Sequence, residues 1–339
     1  MSCDQYRSDG SERGSVYRSL APGIPYLLIV SPQMDIILEE GIRPVIAFND
    51  PHIAVPLRNH YPVITPHYAI IPSEIFNHIV LPPSLPYPSL SIQVVHQTFE
   101  TRVIPPLMNN AITTWKTMYP YHHYHTTIDQ IRFLTDHFDS RVINAYQSLL
   151  PGAFQADLWR VALLYYYGGI YADVKMVSVQ SLEPLLRNHD IIMCLDRRPR
   201  MIFNAIVATR SRHPFFKFLL DYLVHNIETR TYGQPLGKNP LNITGPGAWY
   251  AAFANYVGLN TIITTGSHLH PDGTRYYLLH HQPVLSPSGA IETNGIVDVN
   301  NTVYVRTRDP IHPVTNDLIY QCTGKESYTT LYNQGKVYR

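Results

Sequence analysis

The sequence predicts an α/β fold in which a central sheet is flanked by helices, and three observations predict it. Between Gln155 and Met176 a helical apolar pattern runs into a glycine pair and then a short β-prone stretch, so one segment supplies helix, turn and strand. Short apolar runs at Ser91–Thr98 and Ile191–Leu195 are separated by amphipathic stretches, the alternation that builds a sheet from helix-linked strands. The 339 residues are 45% hydrophobic and 15% charged, which is enough apolar material for one large or two modest domains.

Bulk properties exclude several classes of partner. A formal net charge of +1 gives no general attraction to nucleic acid or anionic lipid, although 17 histidines add positive charge in mild acid. Three cysteines, Cys3, Cys194 and Cys322, are odd in number and far apart, a pattern that suits a reducing compartment better than a disulfide framework. The first apolar run, Ile24–Val30, is too short for a membrane span or an ordinary signal sequence, so the expectation is a cytoplasmic protein with no transmembrane segment.

Residues 1–19 are polar and read as a flexible tail. Residues 20–90 form a Pro-rich N-terminal extension of short β-prone runs, closing on the linker-like prolines Pro82, Pro83, Pro86 and Pro88. From 91 to 339 the chain reads as one catalytic domain. Ser91–Thr98 is its first strand, and the stretches at 113–120, 129–137 and 142–150 are its first helices. Pro151-Gly152 then prepares the central helix over 156–166, which carries Leu158, Trp159, Ala162 and Leu163 at core spacing. Gly168-Gly169 end it, and a strand over 170–174 follows, with Asp173 near its end. Ile191–Leu195 and Phe203-Asn204-Ala205 read as strands, 215–227 and 248–256 as helices, and about 260–339 as β-prone.

Asp157 and Arg160 are three apart and share a helix face, and Asp173 lies at a strand end, where open α/β sheets bind ligands. A carboxylate there can hold a divalent cation that in turn holds phosphates. Lys175 is two residues from Asp173, so along a strand both side chains point to one side. Trp159 and Tyr165–Tyr167 have core spacing and read as packing residues. His122, His123 and His125 lack a second ligand group at metal-site spacing, and the chain has no Walker loop, Gly-x-Gly-x-x-Gly run or nucleophile elbow.

The run Ala156-Asp157-Leu158-Trp159-Arg160, continued by Tyr167-Gly168-Gly169-Ile170-Tyr171-Ala172-Asp173, resembles the glycosyltransferases of family 32, described as sugar-binding regions containing a DXD motif. Relatives in that family include yeast initiating mannosyltransferases and clostridial glucosylating toxins. His96-Gln97, Phe203-Asn204-Ala205 with His213-Pro214, and Thr244-Gly245-Pro246-Gly247 resemble further family signatures. Where the family pattern ends in Asp-x-Asp, this chain has Asp173-Val174-Lys175.

The resemblance implies a GT-A domain, Rossmann-like with a mixed central sheet flanked by helices, carrying an N-terminal extension. It also implies transfer of a sugar from a UDP- or GDP-sugar to a hydroxyl of a glycan, protein or lipid-linked acceptor, with retention at the anomeric carbon. By the same resemblance Asp173 is the metal ligand for Mn²⁺ or Mg²⁺, and Asp157 and Arg160 bind donor-sugar hydroxyls. His96 and Gln97 lie near the base or ribose, and Asn204, Gly245 and Pro246 shape the pocket. Lys175 at the second DXD position implies either an ammonium that replaces part of the cation's charge or, as the alternative, a catalytically weakened sugar-binding or nucleotide-sugar-binding protein on the same fold.

Overall fold

The computed structural model describes residues 2–8, 12–18, 27–30, 69–70, 94–233, 237–258, 263–285, 291–308 and 326–339. Before residue 94 these comprise four strands. β1 (Ser2–Ser8), β2 (Glu12–Arg18) and β3 (Leu27–Val30) form one antiparallel sheet, and β4 (Ala69–Ile70) pairs with β6 (Val103–Ile104). The expected tail falls mainly on β1 and β2, while most of the Pro-rich extension lies outside the described residues.

The main sheet contains β5 (Val94–Thr98), β7 (Tyr121–His125), β8 (Gly169–Ala172), β9 (Val177–Ser178), β10 (Ile191–Leu195), β11 (Ile206–Thr209), β12 (Gly266–Leu269), β13 (Arg275–Leu285), β14 (Ile291–Val297) and β15 (Val303–Arg306). Its order is β7-β5-β8-β11-β10-β13-β14-β15-β9, with β12 added on β13. β5 is parallel to β7 and β8, β10 is parallel to β13, and β11 runs antiparallel between β8 and β10. β14 is antiparallel to both β13 and β15, so six strands, β5, β7, β8, β10, β13 and β15, point the same way. Their carboxyl ends, together with the start of β11, form one edge of the sheet.

Helices cover both faces: α1 (Pro106–Met118), α2 (Thr127–His137), α3 (Ser140–Ser148), α4 (Gly152–Tyr167), α5 (Glu183–Leu186), α6 (Pro214–Glu228), α7 (Pro246–Val257) and the C-terminal α8 (Tyr328–Asn333). Strand alternation sorts the apolar residues into two cores. Ile191, Met193, Val207, Tyr276 and Leu278 face the layer of α2, α3, α4, α6 and α7, which contributes Trp159, Phe215, Phe216 and Trp249. Ile192, Cys194, Ile206, Ala208 and Leu279 face Trp115 of α1, Tyr119 just after it, and Leu182 and Leu186 at α5. The α/β class and the mixed sheet flanked by helices are thus as the sequence predicts.

Local chemistry explains several boundaries. Thr126 and Asp129 close a capping box at the start of α2, and Asp139 caps α3 through the backbone N–H groups of Arg141 and Val142. Gly168 ends α4 at φ +70°, and a Cβ there would lie 2.5 Å from the backbone nitrogen of Ser211, so both conformation and space require glycine.

Three expectations need correction. The strand that carries the motif stops at Ala172, because the Met176 N–H bonds to the Asp173 carbonyl at 2.9 Å and folds 173–176 into a turn. Lys175 therefore does not alternate with Asp173 along a strand. Phe203-Asn204-Ala205 precedes β11, with Asn204 and Ala205 in a turn. The β-prone C-terminal region also contains α8, capped by Ser327.

Candidate active site

The helix, glycine turn and strand between 152 and 172 bring three charges to the carboxyl edge of the sheet. Arg160 reaches Asp157 Oδ1 through Nη2 at 3.2 Å and Asp173 Oδ1 through Nη1 at 3.4 Å. Its Nη1 also donates to the Asn204 carbonyl at 2.6 Å, its Nε to the Ala156 carbonyl at 3.3 Å, and its guanidinium lies 4.3 Å from the centre of the Tyr171 ring. A planar fork suits this place because its donors diverge toward several acceptors at once.

Asp157 is surrounded by donors. Asn204 Nδ2 donates to Oδ1 and Thr244 Oγ1 to Oδ2, each at 3.0 Å. Burial pushes the Asp157 carboxyl up, while Arg160 and Thr244 pull it back, Asp173 adds to the rise, and Asn204 opposes it. Three donors around two oxygens suit the carboxylate, so Asp157 and Arg160 form an ion pair. Burial works against the Arg160 charge, yet Tyr171, Asp157 and Asp173 together hold it above its usual value.

Asp173 faces outward. Its side chain is 26% exposed, against 12% for Asp157 and 7% for Arg160. Its Oδ1 takes the Tyr171 hydroxyl at 2.9 Å in addition to Arg160, and its Oδ2 has no partner among the described residues. The carboxylate is thus held from behind with one oxygen presented. Burial pushes the Tyr171 hydroxyl well up, so it stays a donor. Behind Asp173, Gln97 Nε2 donates to the Asp173 carbonyl at 3.3 Å, and Gln97 Oε1 lies 2.7 Å from His122 Nε2.

The structure brings together Asp157, Arg160, Asp173, Gln97, Asn204 and Gly245 among the residues singled out from the sequence. Gly245 opens α7, where a Cβ would meet the Leu241 carbonyl at 3.2 Å and Asp157 Oδ2 at 3.5 Å. Pro246 is buried, and its carbonyl accepts the Ile202 N–H. His96 is not brought to this network. Its ring is fully buried on the α4 face, 5.6 Å from His123 and 5.5 Å from His125 between ring centres, and its Nδ1 is 3.3 Å from His125 Nε2. Lys175 lies in the turn after Asp173, with no ion pair among the described residues.

Tyr171 and Thr244 were missed as site residues. Tyr171 is two before Asp173, so strand period places them on one face; Thr244 opens the Thr-Gly-Pro-Gly run, where its hydroxyl signals a polar contact at the helix entry.

The residues fit a metal poorly. The two acids Asp157 and Asp173 are matched by the two bases Arg160 and Lys175, so the cluster has no net charge with which to hold a dication. No group of three His, Cys, Asp or Glu side chains suited to a metal exists among the described residues. A cavity of about 1010 Å³, lined by Tyr222, His225, Arg230, Tyr232, Lys238 and Tyr332 among others, involves none of these four charged residues. It adjoins the network indirectly, through Asn226, whose Nδ2 donates to the carbonyl of Ile243, next to Thr244.

The stretch that carries this cluster resembles a known family. Residues 105–192, which include Asp157, Arg160, Asp173 and Lys175, match the family "Glycosyltransferase sugar-binding region containing DXD motif". This stretch is similar to glycosyltransferase sugar-binding regions. Families of this type generally bind a divalent cation. The chain is similar to mannosyl phosphorylinositol ceramide synthase SUR1 of Saccharomyces cerevisiae, 25% identical over 146 residues that make up 42% of this chain and 37% of that protein. It is also similar to inositol phosphoceramide mannosyltransferase 2 of Schizosaccharomyces pombe, 26% identical over 45% of each chain. The uncharacterized glycosyltransferase L373 of Acanthamoeba polyphaga mimivirus is 28% identical over 42% of this chain and 57% of its own. The chain thus spans between a third and just over half of the length of the curated relatives it matches. Among solved structures, PaToxG Glycosyltransferase superposes with a TM-score of 0.36 and 16% identity, over 49% of this chain and 69% of that one. Among the described residues no helix is long and apolar enough to cross a membrane.

Proposed function

We propose that the protein transfers a hexose from a nucleotide-sugar donor to an acceptor hydroxyl, with retention at the anomeric carbon. One observation carries the reading: Arg160 bridges Asp157 and Asp173 at the carboxyl edge of the sheet, inside the sugar-binding region, and leaves one Asp173 oxygen presented outward. The names of the fungal relatives point to mannose as the sugar and to an inositol phosphoceramide acceptor for those proteins.

In this reading Arg160 and the Tyr171 hydroxyl fix Asp173 so that its free oxygen accepts a hydrogen bond from the donor. Asn204 and Thr244 hold Asp157, which in turn orients Arg160, so the buried pair positions Asp173 and the sugar-facing rim rather than being spent on it. Lys175, two residues on, supplies an ammonium for the diphosphate as it leaves. The acceptor oxygen bonds to the anomeric carbon, the bond to the diphosphate oxygen breaks, and the acceptor's proton leaves with the nucleoside diphosphate. A cation expected at Asp173, Mn²⁺ or Mg²⁺, would find one free carboxylate oxygen in this cluster.

The neutral charge balance favours a second reading, a nucleotide-sugar binding protein with weakened turnover. Assaying hydrolysis and transfer across UDP- and GDP-sugars, with and without Mn²⁺, separates the two. Asp173→Asn is expected to cut turnover at least 100-fold with a melting temperature within about 2 °C of the parent, the loss typical of removing a transition-state contact. Full activity in that variant would end the proposed role.

A further inference from the structure

A second polar cluster lies along the same sheet edge. β10 ends at Leu195, which is paired with His280 of parallel β13, so Asp196 and His281 are neighbours one step beyond that pair and on the same face. The chain after Asp196 turns back at once: the Asp196 N–H bonds to the Met201 carbonyl at 3.0 Å and the Phe203 N–H to the Cys194 carbonyl at 2.7 Å. This places the Phe203 ring against His281, with centres 4.2 Å apart and planes 30° from parallel. The next residue, Asn204, is the one that holds Asp157 and Arg160. The Asp173 N–H bonds to the Ala205 carbonyl, two positions from Phe203, so the Cα atoms of Phe203 and Ala205 are at most about 7 Å apart.

The cluster has features of a prepared site. His281 is only 9% exposed, and neither ring nitrogen has a partner among the described residues, an arrangement that costs desolvation without return in the free protein. Asp196, with its side chain 3% exposed, holds Arg198 through Nε at 3.2 Å and Nη2 at 2.9 Å. Arg198 is itself 53% exposed, so this pair fixes the guanidinium while leaving Nη1 without a partner among the described residues. Arg200, two residues on, is exposed as well. Arg197 is turned away to Asn294 Oδ1 at 2.7 Å. A flat ring stack beside one oriented guanidinium group suits a hydroxyl-rich ring that carries an anion.

We propose that Asp196, Arg198, Phe203 and His281 form the acceptor subsite, and that its ligand is a sugar or cyclitol bearing a phosphate. This rests on the glycosyltransferase reading for the word acceptor, but the binding chemistry stands on its own residues. The Arg198 fork meets the phosphate, the Phe203–His281 stack packs one face of the ring, and a His281 nitrogen gains the hydroxyl partner it lacks. The phosphate belongs either to a free metabolite or to a lipid headgroup.

The test is calorimetric titration of the full chain with mannose 6-phosphate and myo-inositol 1-phosphate, with mannose as the uncharged control and UDP and GDP as donor-side probes. Expected is saturable binding of a phosphorylated probe, much weaker binding of mannose, and a tenfold or greater loss in Arg198→Ala that Arg198→Lys partly restores. His281→Phe, which keeps the stack and removes the nitrogens, is expected to weaken the probe severalfold. Nucleotide affinity should change less than twofold in each variant. Failure of both phosphorylated probes to bind the parent protein, unchanged binding in Arg198→Ala, or an equal loss of nucleotide affinity overturns the proposal. If neither UDP nor GDP binds while the phosphorylated probe still depends on Arg198, the transferase reading fails and the subsite survives. Co-sedimentation with phosphatidylinositol vesicles, lost in Arg198→Ala, assigns the lipid source; Arg198-dependent binding of the soluble probe alone assigns the free one.

Discussion

Replacing Arg160 by lysine keeps the charge and removes the fork. In the parent, Nη2 meets Asp157 at 3.2 Å, while Nη1 meets Asp173 at 3.4 Å and the Asn204 carbonyl at 2.6 Å. A single ammonium cannot serve acceptors that lie on different sides of a planar group, so at least one charge-assisted bond is lost, costing about 1.5–3 kcal/mol. The guanidinium lying 4.3 Å from the Tyr171 ring centre is lost as well, worth about 0.5–2 kcal/mol when desolvated. Together these give about 2–5 kcal/mol, with about 3 kcal/mol near the middle, at the lower end of the roughly 3–5 kcal/mol that follows when a buried pair loses one member altogether. For a domain of this size that corresponds to a fall in Tm of about 6–12 °C. Calorimetric melting of Arg160→Lys without any donor measures it directly, with Thr244→Val as a milder companion that removes a single bond to Asp157. A variant that melts within 2 °C of the parent would refute the reasoning, because it would mean that Arg160 reserves its hydrogen bonds for the sugar rather than holding the cluster in the free protein.

Three further outcomes are expected. Lys175→Asp changes a balanced cluster into one with two excess negative charges, so Mn²⁺ affinity measured by electron paramagnetic resonance should rise tenfold or more; an unchanged affinity would show that the ammonium is not what opposes the cation. Burial, reinforced by neighbouring histidines, holds His96 well below the ordinary imidazole value, burial lowers His123, and His122 and His125 are brought down to about 3. The unfolded chain therefore binds more protons than the native one below about pH 6.5, and the stability present above that value is lost as pH falls toward 3, at up to about 1.4 kcal/mol per unit for each histidine. Urea midpoints at pH 7.5, 6.5, 5.5 and 4.5 should drop steeply below 6.5, and a level profile from 7.5 to 5.5 would contradict the burial of neutral imidazoles. Gly168→Ala places a Cβ 2.5 Å from the Ser211 nitrogen at φ +70° and should destabilise by more than about 2 kcal/mol in urea titration, whereas Gly273→Ala, with open space around its Cβ, should pay only for its positive φ, about 1–2 kcal/mol.

Much of the central unit was legible because its signals are local. The apolar spacing after Ala156, the glycine pair and the acid that follows specify α4, its end and β8, and the spacing of Asp157 and Arg160 already implied a shared face. Local pattern fails where one distant or perpendicular bond decides. The strand period placed Lys175 beside Asp173, but the Met176 N–H to Asp173 carbonyl bond closes a turn there. The run Tyr121–His125 carries three histidines and no aliphatic residue, so it lacks the usual strand signal; it becomes β7 because β5 offers a parallel partner in register from Val94 to Thr98. Its histidines were weighed only as metal ligands, whereas two of them pack with His96 as neutral rings under α4. The place of Asn204 and Thr244 around Asp157 depends on chain reversals that no single segment encodes.

Thr244 lies 87 positions beyond Asp157, and Asn204 arrives from a third stretch between them, so the carboxylate acquires its full set of partners after remote pieces of the chain have docked. A nascent or partly assembled molecule with α4 already formed would still leave Asp157 short of donors and Arg160 without its carbonyl. Affinity for the donor is then a sensitive gauge of native assembly: a preparation can show full helical signal in circular dichroism and yet fail to bind, and the deficit would point to the segments around 204 and 244 rather than to the motif itself.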